Sequence, residues 1–314
     1  MLTSASVLGP HGPLARHLPG FAPRAAQQSM AEAVASALEE RAALICEAGT
    51  GTGKTYAYLV PALLSGKKII VSTGTKNLQD QLFHRDLPVV RKALAVPVTA
   101  ALLKGRANYV CLHRLALMES EGRLPSRTQA SELQSILSWA RRTRSGDIAE
   151  LDEVAEDAEI WPAVTSTADN CLGQECGRFN DCFVLKARRA AQEADVVVIN
   201  HHLLLADMAL KDEGFGELLP SADAFIIDEA HQLPETAAQF FGVTVSSRQL
   251  LELVRDTEAE HAREAGDMDG LTALAARVEK AVLDARLSLG TSGRRGVWQE
   301  LNEGPEVIAA LNLI

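Results

Sequence analysis

Ala48-Gly49-Thr50-Gly51-Thr52-Gly53-Lys54-Thr55 follows directly on the apolar run AALICE (42–47) and opens KTYAYLVPALL (54–64), which reads as a helix. Glycines at this density let successive backbone N–H groups turn inward around a phosphate, and the start of the following helix adds favourable partial charge. Residues 48–53 then form the cradle, Lys54 reaches the β and γ phosphates, and the Thr55 hydroxyl takes one Mg²⁺ position. The strict motif has glycine where this chain has Ala48. A merely flexible glycine loop is the competing reading; the order strand, loop, helix favours the cradle.

Around this loop the chain alternates apolar runs with helical patterns. AALICE (42–47), KIIVST (68–73), VTAALL (98–103), VVVIN (196–200) and AFIID (224–228) read as five buried strands, each followed by a helix-like segment. The expected fold is α/β with a mostly parallel sheet and ligands at the carboxyl ends of its strands. Residues 1–22 read as an N-terminal extension, 23–107 together with 195–234 as the main domain, and 108–194 as an inserted subdomain, far longer than an ordinary crossover. From 235 to 314 the spacing is helical, with RQLLELVRDTEAEHAREA and LTALAARVEKAVLDARLSL both carrying i, i+3, i+4 apolar positions.

The fifth run ends in Asp228-Glu229-Ala230-His231. An aspartate at a strand terminus can hold Mg²⁺ through water, and the adjacent glutamate can activate the attacking water. Taken alone, DEAH also suits an acidic helix start. Joined to the phosphate loop, it points to nucleoside-triphosphate hydrolysis with Lys54, Asp228 and Glu229 as the working groups.

The chain has 314 residues, a net charge of −10 and five cysteines. No run of eighteen apolar residues and no export signal is visible, so a soluble cytoplasmic location without a membrane partner is expected. Charge is segregated: residues 66–114 carry nine Lys or Arg against two Asp, while 145–169 carry eight carboxylates and no Lys or Arg. A basic stripe with an acidic flank suits a polyanion groove as well as it suits two solvated faces. Five cysteines is an odd number at low density, which argues against a disulfide framework. Cys111, then Cys171, Cys176 and Cys182 spaced C-x4-C-x5-C, suit either an iron-sulfur cluster or structural zinc, although the C-x2-C pairs usual for zinc are missing. Cys46, within AALICE, reads as an inert core thiol.

PRAAQQSM, EAGTGTGKT, VSTGTKNLQDQL, KGRANYVC, VVVINHHLL and IIDEAH occur in that order. Together they resemble the first motor domain of the superfamily 2 iron-sulfur DNA helicases, the XPD/DinG group, and within it the bacterial YoaA type. The resemblance runs from about Pro23 to His231. It implies a RecA-like motor domain whose insertion binds a [4Fe-4S] cluster through Cys111, Cys171, Cys176 and Cys182, followed by the beginning of a helical arch. It further implies that Arg24 and Gln27 read the adenine of ATP. Thr73, Thr75, Leu78, Gln79 and Gln81 would lie along the single strand's backbone, with Lys104, Arg106 and Tyr109 adding cation and stacking contacts. Asn200 and His201 resemble the turn after the fourth strand.

The activity implied is ATP-dependent, Mg²⁺-requiring, 5′-to-3′ movement on single-stranded DNA that unwinds forked or duplex DNA in repair. A monomer associated with the bacterial nucleoid and meeting a replication or repair protein is expected. The second motor domain of such helicases, with its arginine fingers, has no counterpart in these residues. The chain is therefore expected to correspond to the N-terminal part of a helicase. A nucleotide- and DNA-binding module without productive turnover is the second reading.

Overall fold

The structure is a computed structural model that describes residues 2–121, 126–167, 170–212, 218–241, 246–263, 270–290, 296 and 305–312. Four parallel strands lie in the order β2-β3-β1-β4, with β1 at Ile69–Thr73, β2 at Ala100–Leu102, β3 at Val196–Asn200 and β4 at Ala224–Ile227. Ile69 is in register with both Val196 and Ala224, and Ala100 pairs with Val196. The two central strands, β1 and β3, are buried along their whole length. That explains why they are unbroken apolar runs and not alternating ones, since helices cover both faces.

Alternation survives in where the side chains go. Ile69, Val71, Val196 and Val198 enter a core made with the helices Ala25–Glu40, Lys54–Leu64 and Leu87–Leu94. Ile70, Val197 and Ile199 enter the opposite core, with Ala191 of the helix Phe183–Glu193 and Leu203 and Leu204 of His201–Asp212. The carboxyl ends of β1, β3 and β4 thus meet at one rim, where Thr73, Asn200 and Asp228 stand.

The expected first strand, 42–47, forms no ladder. Ile45 is 98 % exposed and Cys46 is exposed too, so the core thiol expected there is a surface one. A cavity of about 1020 Å³ lies between this segment and 223–231. Apolar character makes a segment eligible for a sheet, but only a hydrogen-bonded partner makes it a strand. Here β4 pairs with β1 alone among the described residues and keeps Phe225 half-exposed.

Residues 2–22 reach into the first core. Val7, Leu8 and Leu14 are completely buried in the first core. The short helix Pro13–His17 packs on Leu87–Leu94, and Gln28 donates to the Leu8 carbonyl at 3.2 Å.

The excursion between β2 and β3 has a core of its own, built from Leu133, Ile136, Trp139, Ile148, Trp161, Val164 and Phe183. The Trp139 and Trp161 rings meet edge to face at 6.4 Å. Gly146 (φ +69°) passes so close to Phe183 that a Cβ would lie 2.3 Å from the ring. The insertion thus carries its own hydrophobic core, and its last helix, Phe183–Glu193, packs on β2.

The chain divides into two compact units, Met1–Phe241 and Gly242–Ile314. The helix Leu233–Phe241 packs on His201–Asp212 and belongs to the first, so the helical module starts later than 235. Within the second unit, Ser247–Arg263 and Pro305–Leu311 both pack on Leu271–Ser288.

Candidate functional site

The phosphate loop closes over the start of the helix Lys54–Leu64, with Gly51 and Gly53 in the left-handed region at φ +76° and +82°. Only glycine enters that region without strain. At Gly53 there is a second constraint, since a Cβ would fall 2.1 Å from Gln27 Nε2. Gln27 donates to the Gly53 carbonyl at 3.0 Å, Arg24 donates to the Gly51 carbonyl, and Thr52 donates to the Gly49 carbonyl at 2.9 Å. Arg24 and Gln27, expected to read a base, here hold the loop's backbone. The buried Gln27 Oε1 has no hydrogen-bond partner among the described residues.

The acid pair arrives from the end of β4. Lys54 Nζ sits 3.2 Å from Glu229 Oε1, so the loop's lysine and the second motif meet directly. Asp228 is locked by both oxygens: Oδ1 accepts from the Glu229 amide at 3.1 Å, and Oδ2 accepts from the Tyr58 hydroxyl at 3.1 Å. Glu229 has φ +53°, a left-handed conformation that a non-glycine residue adopts at a cost. It turns the carboxylate back toward Lys54, and His231 Nδ1 lies 3.4 Å from its other oxygen. Burial raises the Asp228 carboxyl above the ordinary carboxylate range, opposed by the hydrogen bond from Tyr58. Tyr58 is itself pushed well up, first by burial and then by the Asp228 charge.

Beneath the pair, fully buried His201 places Nδ1 2.7 Å from the Ser72 hydroxyl. Burial lowers its pKa, opposed by the backbone of Asp228 and Glu229. Asn200 caps the next helix, its Oδ1 accepting from the Leu203 amide at 2.9 Å.

The residues expected along a single strand divide in two. Thr75 is exposed and caps the helix Lys76–Gln81 by accepting from the Leu78 amide at 3.2 Å. Arg106 is half-buried, within 3.4 Å of the Thr167 carbonyl. Thr73 is buried, and Gln79 is buried too, donating to the Leu103 and Val198 carbonyls at 3.0 and 3.2 Å across the sheet. Lys104 is only 3 % exposed, with Nζ 2.8 Å from Asp80 and 2.7 Å from Asp147. Burial works against its charge, but the hydrogen bonds and charges of Asp147 and Asp80 outweigh that and hold its pKa above the ordinary lysine value. The buried Tyr109 phenol accepts from the Lys104 amide at 3.0 Å, and burial raises its pKa. Lys104 and Tyr109 thus face inward, each with internal partners. The carboxylates of Asp80 and Asp147 capture the cation.

Cys111, Cys171, Cys176 and Cys182 line one cavity of about 350 Å³. Cys111 is anchored by its amide, which donates to the Val164 carbonyl at 2.8 Å, and Cys182 immediately precedes the helix Phe183–Glu193. Cys176 and Cys182 each follow a short three-ten turn. All the cysteines are free thiols, and burial raises the pKa of Cys111. Arg188 also lines the cavity; burial and then the charge of Arg106 lower its pKa, opposed by Cys171 and Cys182. Among the described residues, no three His, Cys, Asp or Glu side chains are grouped so as to hold a single metal ion.

With loop, acid pair and cysteine cavity placed, comparison with known families decides the kinship. A family model described as DEAD/DEAH box helicase matches residues 25–116, and one described as DEAD_2 matches 89–250. This chain belongs to the DEAD_2 family of XPD/DinG-type helicases. It is 52 % identical over 306 residues to the ATP-dependent DNA helicase YoaA of Escherichia coli (strain K12), covering 97 % of this chain and 48 % of that one. To the protein of the same name in Haemophilus influenzae it is 49 % identical over 311 residues, 99 % of this chain and 49 % of the relative. To the ATP-dependent helicase DinG of Mycobacterium tuberculosis H37Rv it is 36 % identical over 249 residues, 72 % and 37 % of the two chains. The chain spans about half the length of the YoaA relatives. No described helix is long and apolar enough to cross a membrane.

Sequence reasoning missed Tyr58 and the inward turn of Lys104. A tyrosine one turn into an apolar helix carries no motif, so nothing local marks it. For Lys104 no local signal existed either, since Asp86 and Glu119 lie nearer to the KGR motif in the chain than Asp80 and Asp147 do.

Proposed function

We propose that this chain forms the nucleotide-hydrolysing motor of an ATP-dependent DNA helicase that moves 5′-to-3′ on single-stranded DNA and separates forked or duplex DNA during repair or replication stress. The observation that carries the reading is the 3.2 Å contact between Lys54 and Glu229, which puts a phosphate-binding cation and a water-activating carboxylate in one site. Its support from kinship is that the related chains are named ATP-dependent DNA helicases.

In the resting chain Lys54 and Glu229 neutralise each other. ATP in the loop offers Lys54 the β and γ phosphate oxygens in place of Glu229, and the loop amides of 49–53 hold the remaining charge. Glu229, released, accepts the proton of the water that attacks the γ phosphorus. Thr55 and Asp228 are hard oxygen donors, Asp228 being held by Tyr58 from the helix that Thr55 begins, and this donor set fits Mg²⁺. Mg²⁺, when bound, neutralises charge developing on the β and γ phosphate oxygens.

The four thiols fit a [4Fe-4S] cluster. All four line one cavity, and four thiolates are the donor set that such a cluster takes. The cluster would stiffen an insertion wall that also carries Arg106 and Arg178, both suited to a phosphate backbone.

The test is single-strand-stimulated ATP hydrolysis by the full-length gene product. Stimulation by DNA and its loss in Lys54→Ala are expected. Hydrolysis indifferent to both DNA and Lys54 would sink the reading, and nucleotide and DNA binding without turnover would replace the motor with a binding module.

A further inference from the structure

Tyr58 belongs to neither nucleotide motif, yet it joins them. It lies one turn into the phosphate-loop helix, 3 % exposed, and its hydroxyl donates to Asp228 Oδ2 at 3.1 Å. The other oxygen of Asp228 is held by the Glu229 amide at 3.1 Å, so the carboxylate cannot turn about its own axis without losing a hydrogen bond. Thr55 precedes Tyr58 by three residues and therefore shares its helix face. Its side chain comes close enough to the same phenol to act against the rise in the phenol's pKa. One hydroxyl thus holds the aspartate that the proposed function assigns to Mg²⁺, on the helix face that also carries the threonine assigned to it.

Packing alone does not ask for that hydroxyl. The residue belongs to the main buried core, where phenylalanine would fill the same volume. A buried phenol needs a polar partner, and here the partner is the strand-end aspartate.

We propose that Tyr58 is a positioning residue that sets the spacing between Thr55 and Asp228 and thereby fixes how tightly the nucleotide's divalent cation is held. The proposal rests on the reading of Thr55 and Asp228 as the cation's side of the site. Without the hydroxyl, Asp228 gains rotational freedom and binds the cation from a wider set of rotamers. Loss of a hydrogen bond to a charged group is of the size that gives about a 10-fold effect on binding.

The experiment is a Mg²⁺ titration of fluorescent ADP binding to the full-length protein, without turnover, comparing the unmodified chain with Tyr58→Phe. The Mg²⁺ concentration for half-maximal binding is expected to rise by about 10-fold in Tyr58→Phe, with ADP binding in the absence of Mg²⁺ unchanged. A Mg²⁺ dependence identical to that of the unmodified chain, with only a lowered melting temperature, would overturn the proposal and leave the hydroxyl a structural role. An unmodified protein that binds nucleotide without any Mg²⁺ dependence would overturn the functional reading as well, so the two failures are distinguishable.

Discussion

In the nucleotide site, side chains far apart in sequence are already in contact: Lys54 with Glu229, Tyr58 with Asp228. In the cysteine cavity, Cys111, Cys171, Cys176 and Cys182 surround about 350 Å³ with no three gathered for one ion. The first is framed by the rim of a parallel sheet, whose β1–β4 ladder carries the acid pair, while Gln27 and Arg24 hold the loop. The second is framed largely by short three-ten turns, with Cys171 exposed and the other three partly buried. A site for a ligand that comes and goes must exist before the ligand arrives. A site for a resident cluster can take its final shape from the cluster, because metal–ligand binding energy is then part of the folding energy.

That contrast can be broken or sharpened at four points. The largest effect is expected at Glu229→Gln, which keeps the size and removes the base. DNA-stimulated hydrolysis should fall by about 10²- to 10⁴-fold, with nucleotide binding retained in an equilibrium titration. If binding fell in parallel, the Lys54 contact would be structural and the site less preformed than drawn here.

Next comes Cys182→Ser. Visible absorbance near 400 nm and local order of 109–184 should be lost, as read by iron content and hydrogen exchange, while the phosphate loop continues to bind ADP. Equal collapse of ADP binding would show that the two regions are one folding unit.

Lys104→Met tests the joint between them, since Lys104 pairs with Asp80 of the main domain and Asp147 of the insertion. Leaving both carboxylates without their cation should cost about 3 kcal/mol in urea unfolding. Because the Lys104 pKa is raised, its contribution is present in full below the unfolded lysine pKa of about 10.4. It is lost only as pH rises through the higher folded value. A titration from pH 7 to 9 should therefore leave it untouched. A slope in that range would point to another group.

The smallest effect is at Asp228→Asn. Burial raises the Asp228 carboxyl, so the folded chain holds its proton more tightly than the unfolded one. Stability from this group is greatest below the unfolded carboxylate pKa of about 3.9 and declines as pH rises through the folded value. A neutral asparagine removes the buried charge but has one accepting oxygen where Asp228 uses two, so one bond from Tyr58 or the Glu229 amide is lost and the melting temperature should change little at pH 7. A lowered melting temperature at pH 7 would mean that the ion is stabilised by its neighbours after all.

Much of this was legible from residue type and spacing. The phosphate loop, the DEAH run and the sheet's central strands appear where the sequence predicts them, because each is a local pattern with one dominant physical reading. AALICE shows the limit: its composition suits a strand, yet Ile45 is 98 % exposed because no neighbour completes a ladder. The first 22 residues show the opposite limit. Helices of four and five residues broken by glycine and proline give almost no periodic signal, yet they bury Leu8 and Leu14 completely.

Sequence alone determined which chemistries are present: a loop able to wrap phosphate, an acid pair at a strand end, and four thiols in one insertion. These depend on the kinds of residues and their spacing along the chain, both of which can be read directly. Tertiary structure decided which of these groups face one another. Lys104 turned inward because Asp80 and Asp147 converge on it from two different segments. Tyr58 reached Asp228 because β1 and β4 pair in register beside the loop helix. Burial and charge pairing across long separations depend on which face each strand and helix presents, and that is settled only when the whole core closes.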